Sequence, residues 1–288
     1  MVSVPSLTIR HAIHAAEARL RSASVDTPDL DARVLSQHVL QLTPTELFLH
    51  LDDPLSPERM VQLQRLVARR AAGEPAAYLT GRREFYELDL RVTPDVLIPR
   101  PETELLVERA IAALPRGATV VDVGTGSGAI AVAVAWHRPD LRLLAVDRSP
   151  GACRVARTNV CEQHMQSAVG VACADLLSAV RWPVQGILAN LPYLAHDELP
   201  ALAREVRREP QQALDGGQDG LDLYRRLFAD LAMRRPPPFL VLCEIAPMQV
   251  DAMLGLVTAA LPGFGLQVFP DLAGRARLVE ARRLTSWT

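Results

Sequence analysis

Apolar residues recur every three or four positions in two early stretches of the chain: Ile9, Ile13, Ala16 and Leu20, then Leu30, Val34 and Leu35. This spacing predicts amphipathic helices. A hydroxyl residue precedes a proline at three later points, namely Thr27-Pro28, Thr43-Pro44 and Ser56-Pro57. Proline suits the first position of a helix and the hydroxyl can cap a free N–H, and Gly73 is a plausible helix stop. Residues 1–73 are therefore predicted to form a small helical domain.

The period of the pattern changes after Gly73. Apolar residues alternate with polar ones from Phe85 to Val92, which predicts a strand that ends at Thr93-Pro94-Asp95. We interpret residues 74–98 as a linker with a short β-hairpin.

Short apolar runs separated by helical stretches fill the rest of the chain: 120–123, 143–146, 169–172, 186–189 and 239–245, with a closing hairpin at 266–269 and 276–280. Such alternation predicts a parallel sheet covered by helices on both faces. Residues 99–288 are thus expected to form a Rossmann-like α/β domain.

The composition and charge of the chain exclude several kinds of function and site. The chain has 288 residues and a formal net charge of −2, which argues against a broad nucleic-acid-binding face. All its basic residues are arginine, so a catalytic lysine is excluded. Its four cysteines have no zinc-ligand spacing, so no metal site is expected. No signal peptide or membrane span is evident, and we expect a cytoplasmic protein.

A glycine-rich turn follows the first run of the α/β domain: Gly124, Thr125, Gly126, Ser127 and Gly128. Glycines let the backbone approach a ligand closely, and the following helix offers free N–H groups. Asp147 follows the next strand, where a carboxylate can accept hydrogen bonds from the ribose of an adenosine.

This motif alone leaves the nucleoside open. Asp122-x-Gly-x-Gly-x-Gly is typical of S-adenosylmethionine enzymes, but the looser dinucleotide fingerprint also fits, so a dehydrogenase stays an alternative. Asp175 lies where a third strand would bring a side chain near the adenine. It could equally be the N-cap of a helix that begins at Leu176-Leu177.

The loop Asn190-Leu191-Pro192-Tyr193 follows the predicted fourth strand. In open α/β sheets, ligands bind beyond the carboxyl ends of the strands, and the first and fourth strands are neighbours there. Asn190 should therefore face the ligand held by the glycine turn.

The loop is suited to methylation of a planar amide-type nitrogen. The Asn190 side-chain oxygen and the Leu191 carbonyl can accept the two N–H bonds of that nitrogen. Tyr193 can stack on the planar group, and Pro192 stiffens the loop. These contacts would orient the nitrogen and stabilise the positive charge that develops on it. A sheet domain that only binds protein would leave the glycine turn and this loop without a joint purpose.

The glycine turn with an Asn-x-Pro-Tyr loop resembles the methyltransferases that act on adenine, cytosine or glutamine nitrogens. Further segments along the chain resemble the release factor glutamine methyltransferases: 73–75, 78–81, 84–86, 96–104, 205–210, 213–221, 243–249 and 271–275. The most diagnostic of them is Val96-Leu97-Ile98-Pro99-Arg100-Pro101-Glu102-Thr103-Glu104.

This resemblance implies a helical domain that docks the substrate protein and a seven-stranded methyltransferase domain. It implies S-adenosylmethionine as donor and the glutamine of the Gly-Gly-Gln loop of class I peptide-chain release factors as substrate, in translation termination. Donor contacts would fall on Gly124–Gly128, Asp147, Leu176 and Asn190, with Asp175 nearby. The substrate loop would be Asn190–Tyr193.

Three positions depart from the family pattern. Leu191 replaces a proline, Ala246 replaces a glycine, and Leu176 stands where an aromatic residue is common. Asn-Leu-Pro-Tyr is also the form familiar in ribosomal RNA adenine-N6 methyltransferases. That RNA activity, and a glutamine methyltransferase acting on a ribosomal protein, are the alternatives. The 99–104 stretch and the N-terminal position of the accessory domain favour the release factor.

Overall fold

Residues 7–284 are described by a computed structural model. The first six residues of the predicted helical domain and the last four of the predicted catalytic domain lie outside this range. The chain divides into two units, Met1–Gly81 with Ala203–Arg208, and Arg82–Leu202 with Glu209–Thr288.

The first unit is helical, as the apolar spacing predicts. It contains α1 (Ile9–Ser22), α2 (Pro28–Leu40), α3 (Pro44–Leu49), α4 (Pro57–Ala71) and α5 (Ala76–Thr80). The three predicted proline starts are confirmed at α2, α3 and α4. Thr43 and Glu46 form a reciprocal capping box, and Gly73 follows the end of α4 at φ +87°.

The apolar face of α2 differs from the predicted one. Leu30 is 59% exposed, whereas Ala32, Leu35 and Val39 are buried in the core of this unit. The buried stripe advances by three and four residues from Ala32, and Leu30 lies off it. The prediction for Leu30 is therefore wrong.

A buried ion pair joins separate parts of the helical unit. The Arg70 Nε atom donates to the Asp31 carboxylate at 2.6 Å, and both side chains are less than a tenth exposed. Arg70 also pairs with Glu205 at 2.6 Å. Residues 203–208 are therefore tied into this unit although they lie far along the chain.

A two-stranded hairpin opens the second unit. The strands are β1 (Arg82–Phe85) and β2 (Leu88–Arg91), and they are antiparallel. The predicted hairpin is confirmed, but the single strand expected from Phe85 to Val92 is wrong. The chain turns at Tyr86 and Glu87, with φ of +46° and +67°. Neither is a glycine or asparagine, so the usual sequence signal for this turn is missing.

A seven-stranded mixed sheet forms the centre of the second unit. Its strands are β3 (Thr119–Val123), β4 (Arg142–Asp147), β5 (Val169–Cys173), β6 (Gly186–Ala189), β7 (Leu240–Glu244), β8 (Phe264–Pro270) and β9 (Ala276–Arg283). Their order is β5-β4-β3-β6-β7-β9-β8, with β9 antiparallel to both of its neighbours. The predicted Rossmann-like α/β class and the closing hairpin are confirmed.

Helices cover both faces of this sheet. They are α6 (Glu104–Ala113), α7 (Ala129–His137), α8 (Pro150–Glu162), α9 (Asp222–Met233) and α10 (Val250–Ala260). Side chains of α6, α7 and the hairpin belong to one apolar cluster, and those of α9 and α10 belong to another. Seven consecutive residues of α7, from Ala129 to Ala135, are buried. This helix is apolar all round because it is enclosed on all sides.

The register of the sheet positions the site. β3 and β6 are parallel neighbours, and Val123 pairs with Ala189. The glycine turn after β3 and the Asn190 loop after β6 therefore leave the same edge of the sheet side by side. No helix within residues 7–284 has the length and apolar character needed to cross a bilayer.

Candidate active site

The glycine turn is built around backbone conformations that other residues rarely adopt. Gly124, Gly126 and Gly128 have φ of +74°, +55° and +82°. A side chain at Gly124 would bring its Cβ within 2.7 Å of the Leu191 Cδ2 atom. This position therefore requires glycine for two reasons, its conformation and the close approach of the Asn190 loop.

Asp122 of β3 stabilises the turn through hydrogen bonds to its buried side chain. Its side chain is fully buried and accepts hydrogen bonds from Thr125 Oγ1 at 2.5 Å and from the Ala131 N–H at 3.3 Å. Burial raises the pKa of Asp122 to about 7, against the effect of these hydrogen bonds. The carboxylate thus joins the turn to the first residues of α7.

Asp147 at the end of β4 shapes the opposite side of the turn. One carboxylate oxygen accepts from the Gly126 N–H at 2.9 Å and the other from the Ser149 N–H at 2.8 Å. Each oxygen keeps a further lone pair. Asp147 can therefore hold the turn and still accept hydrogen bonds from a ligand.

A cavity of about 950 Å³, counting its open mouth, lies along these elements. The predicted site residues that line it are Gly124, Thr125, Gly126, Ser127, Asp147, Asp175, Leu176, Asn190, Leu191 and Pro192. Gly128 and Tyr193 are outside this lining set. Gly128 instead precedes α7, where a Cβ would press on Ala156 at 3.2 Å.

Asp175 and Leu176 lie in a turn after β5. No helix begins there, so the N-cap interpretation of Asp175 is wrong. The Asp175 carboxylate pairs with Arg226 of α9. Leu176 has φ +48°, which is unusual for a branched side chain, and it lies at the wall of the cavity.

Asn190 reaches the cavity directly after β6. Its Nδ2 atom donates to Thr103 Oγ1 at 3.0 Å. Thr103 is buried and ends the Pro99–Thr103 stretch, which lies beside the same cavity. The amide nitrogen of Asn190 is thereby fixed by a residue distant in sequence.

The side chain of Leu191, the second residue of the loop, is buried. Its backbone N–H donates to the Tyr224 hydroxyl at 3.3 Å, and its side chain packs over Gly124. Tyr224 is fully buried in α9 and its hydroxyl also bonds the Glu244 carbonyl at 2.5 Å. Tyr224 thus connects the loop to the end of β7.

Tyr193 turns away from the cavity lining. Its hydroxyl donates to Glu244 Oε1 at 3.4 Å, and its carbonyl accepts from Gln249 Nε2 at 2.8 Å. Burial and the negative charge of Glu244 raise the pKa of Tyr193 to about 12. The predicted stacking of Tyr193 on a planar substrate group stays a prediction.

Glu244 is the most enclosed acid near the loop. It is 1% exposed, and burial raises its pKa to about 7 although hydrogen bonds from Thr103 and Tyr193 and the charge of Arg277 oppose this. Its Oε2 atom has no hydrogen-bond partner within the described range 7–284.

Residues 209–220 hold the cavity wall in place. The buried Glu209 carboxylate accepts from the Ile98 N–H at 3.0 Å and pairs with Arg100. Gly216 and Gly220 approach the carbonyls of Pro192 and Tyr193 so closely that a Cβ would lie within 2.5 Å and 2.1 Å of them. Close packing therefore restricts the Asn190 loop from this side.

The sequence alone assigns no role in the site to five of these residues: Thr103, Glu209, Tyr224, Glu244 and Gln249. The segments that resemble the family contain four of them, but the resemblance does not say what each side chain contacts. Tyr224 lies outside those segments, and its place in the sequence predicts only an ordinary apolar position of a helix.

Two family models and several named relatives match this chain. Residues 11–81 match the family model of the PrmC N-terminal domain, and residues 101–219 match that of the methyltransferase small domain. The release factor glutamine methyltransferase of Cereibacter sphaeroides is 44% identical over 273 residues, covering 94% of this chain and 97% of the relative. That of Moorella thermoacetica is 40% identical, covering 96% and 99%.

A solved structure supports the fold alone. The hMettl16 catalytic domain in complex with MAT2A 3'UTR hairpin 6 superposes with a TM-score of 0.59 at 15% identity. The match covers 77% of this chain and 84% of that one.

Proposed function

Since the chain belongs to the release factor glutamine methyltransferase family, we propose that it methylates the glutamine of the Gly-Gly-Gln loop of class I release factors, with S-adenosylmethionine as donor. The enzyme class follows from the family: the chain is a protein-glutamine methyltransferase. The donor, the release factor as substrate and the roles of individual residues are the proposal.

One observation carries the proposal. Asn190 and the glycine turn emerge from paired positions of neighbouring parallel strands and line one cavity. A donor bound along the turn and a planar nitrogen held by Asn190 would therefore meet at this edge of the sheet.

The residues of the turn suit S-adenosylmethionine. The space beside Gly126 is open, since a Cβ built there meets nothing within 4 Å. The Asp147 carboxylate has lone pairs left for the ribose hydroxyls. Leu176, which lines the cavity, would give the adenine an apolar contact. When bound, this donor supplies an electrophilic methyl group on a positively charged sulfur.

The chain's own part of the reaction is to hold the glutamine amide. An amide nitrogen is a weak nucleophile because its lone pair is delocalised into the carbonyl. The Asn190 Oδ1 atom and the Leu191 carbonyl would accept its two N–H bonds, which orients the nitrogen and offsets the positive charge that develops on it. The extra proton can leave after transfer, so no strong base is required.

The helical unit would dock the release factor. This assignment rests on the match of residues 11–81 to the PrmC N-terminal domain. The predicted division into a docking domain (1–73), a linker (74–98) and a catalytic domain (99–288) belongs to the same proposal. We expect no direct binding of nucleic acid.

Labelled donor tests the proposal against its alternatives. Purified enzyme is incubated with tritiated S-adenosylmethionine and one of three acceptors: a class I release factor, ribosomal RNA, or ribosomal proteins. We expect label in the release factor. A release factor whose Gly-Gly-Gln glutamine is replaced by alanine is the matched control and should stay unlabelled. Label in RNA or in a ribosomal protein instead would overturn the proposal.

A further inference from the structure

The Thr103 hydroxyl is hydrogen-bonded to Asn190 and not to its own helix. Thr103 ends a 3-10 turn, Pro101–Thr103, that runs directly into α6, and its φ and ψ of −69° and −17° are helical, so its side chain does not cap α6. The hydroxyl oxygen accepts from Asn190 Nδ2 at 3.0 Å. Thr103 is 4% exposed, so this arrangement is shielded from water.

The orientation of the Asn190 amide is set by this hydrogen bond. Asn190 Nδ2 is the donor and the Thr103 hydroxyl oxygen is the acceptor. The Thr103 hydroxyl keeps its own proton for another acceptor, and Thr103 is among the groups that lower the pKa of Glu244 against burial. Asn190 therefore presents its NH₂ group to Thr103.

An amide fixed in this way turns its other end toward the cavity. Asn190 lines the cavity, and the described residues give no hydrogen bond to its Oδ1 atom. The reverse orientation would aim an N–H at the incoming N–H of a substrate amide, which would leave two donors facing each other. Orientation of the side chain therefore decides whether Asn190 can accept from the substrate.

We propose that Thr103 is a positioning residue that holds Asn190 with its oxygen toward the glutamine amide. This inference rests on the proposed function, because it assigns how the acceptor at Asn190 is oriented. Thr103 touches neither substrate nor donor in this proposal and acts only through Asn190.

Two substitutions separate hydrogen bonding from space filling. Thr103→Val keeps the shape and removes the hydroxyl, whereas Thr103→Ser keeps the hydroxyl and removes a methyl group. We expect Thr103→Val to lower kcat with the release factor by about 10- to 100-fold, and Thr103→Ser to stay within about threefold of wild type. Donor affinity, measured by calorimetry, should change in neither. Thr258→Val, on the exposed face of α10, is the matched control.

A second pair of variants tests the path through Asn190. In an Asn190→Ala background, Thr103→Val should cost no further activity in single-turnover reactions with excess enzyme. A Thr103→Val enzyme as fast as wild type, or a Thr103→Ser enzyme slower than Thr103→Val, would overturn the inference. A further loss in the Asn190→Ala background would overturn it as well. A wild-type enzyme that does not label the release factor would instead refute the proposed function.

Discussion

The backbone N–H of Leu191 donates a 3.3 Å hydrogen bond to the buried hydroxyl of Tyr224. A proline at this position, which the family pattern favours, would have no N–H to donate. Tyr224 thus restrains the loop of this chain in a way that a proline would make unnecessary. At Leu191 this hydrogen bond to a residue of α9 stands in place of the restraint that a proline ring would give.

Tyr224→Phe should destabilise the protein by about 1–3 kcal/mol, because it leaves the buried Leu191 N–H without a partner. Urea unfolding monitored by circular dichroism measures this change. The same substitution in a Leu191→Pro background should cost clearly less, since no N–H remains there. Equal costs in the two backgrounds would show that the hydrogen bond contributes nothing.

Gly124→Ala should weaken both stability and donor binding. The new Cβ must adopt φ +74° and would lie 2.7 Å from Leu191 Cδ2. Gly263→Ala provides the matched control, because Gly263 has φ +84° and open space around it. We expect the free energy of unfolding to fall by roughly 1–2 kcal/mol in the control and by about 1–3 kcal/mol more in Gly124→Ala. Unfolding free energies measure both, and equal losses would contradict the close packing of the loop on the turn.

The pH dependence of stability should reflect Glu244. Burial raises its pKa from 4.5 to about 7, so the folded protein binds this proton more tightly than the unfolded chain. The stabilisation is complete below pH 4.5 and is lost as pH rises through 7. It amounts to roughly 3 kcal/mol. Asp122, with a pKa raised from 3.8 to about 7, acts in the same direction.

Glu244→Gln removes one of these two titrations. Between pH 5 and pH 8, the free energy of unfolding should therefore fall less in this variant than in wild type. The difference should be roughly 3 kcal/mol, the amount contributed by Glu244. Asp197→Asn, at an exposed position, is the control and should leave the pH profile unchanged. Parallel profiles for wild type and Glu244→Gln would contradict the raised pKa.

Arg70→Met should strongly destabilise the helical unit. It would leave Asp31 buried without a positive partner, which costs about 3–5 kcal/mol in comparable cases. Arg69→Met, one residue away, breaks a pair in which Arg69 is 55% exposed and should cost below about 1 kcal/mol. Thermal unfolding of both variants measures the difference. Similar melting temperatures would mean that the buried pair is replaceable.

Much of the fold follows from the periodicity of apolar residues. The strands β3 to β7 are predictable because each is a short apolar run, and the edge that holds the site follows from the parallel order of β3 and β6. The turn at Tyr86-Glu87 is not predictable, since its positive φ values fall on residues that carry no turn signal. Tertiary packing of the hairpin overrides local preference there.

Some parts of the site are predictable because they directly follow or end a strand. The glycine turn, Asp147 and Asn190 are of this kind, so the sequence locates them. The hydrogen bond from Asn190 to Thr103 joins residues that are 87 positions apart in the sequence. Only packing brings these side chains together, and a pattern along the chain does not show it.

Mass spectrometry of a methylated release factor tests the central claim most directly. Wild-type enzyme and the Asn190→Ala variant are each incubated with release factor and S-adenosylmethionine, and the Gly-Gly-Gln peptide is fragmented. We predict one methyl group on the glutamine side-chain nitrogen with wild type. With Asn190→Ala at the same catalytic concentration we predict no detectable methylation, so that its residual rate is measurable only with excess enzyme, although that variant still binds the donor through Asp147 and the glycine turn. Methylation at the wild-type rate by Asn190→Ala, or a methyl group at any other position with wild type, would contradict the account.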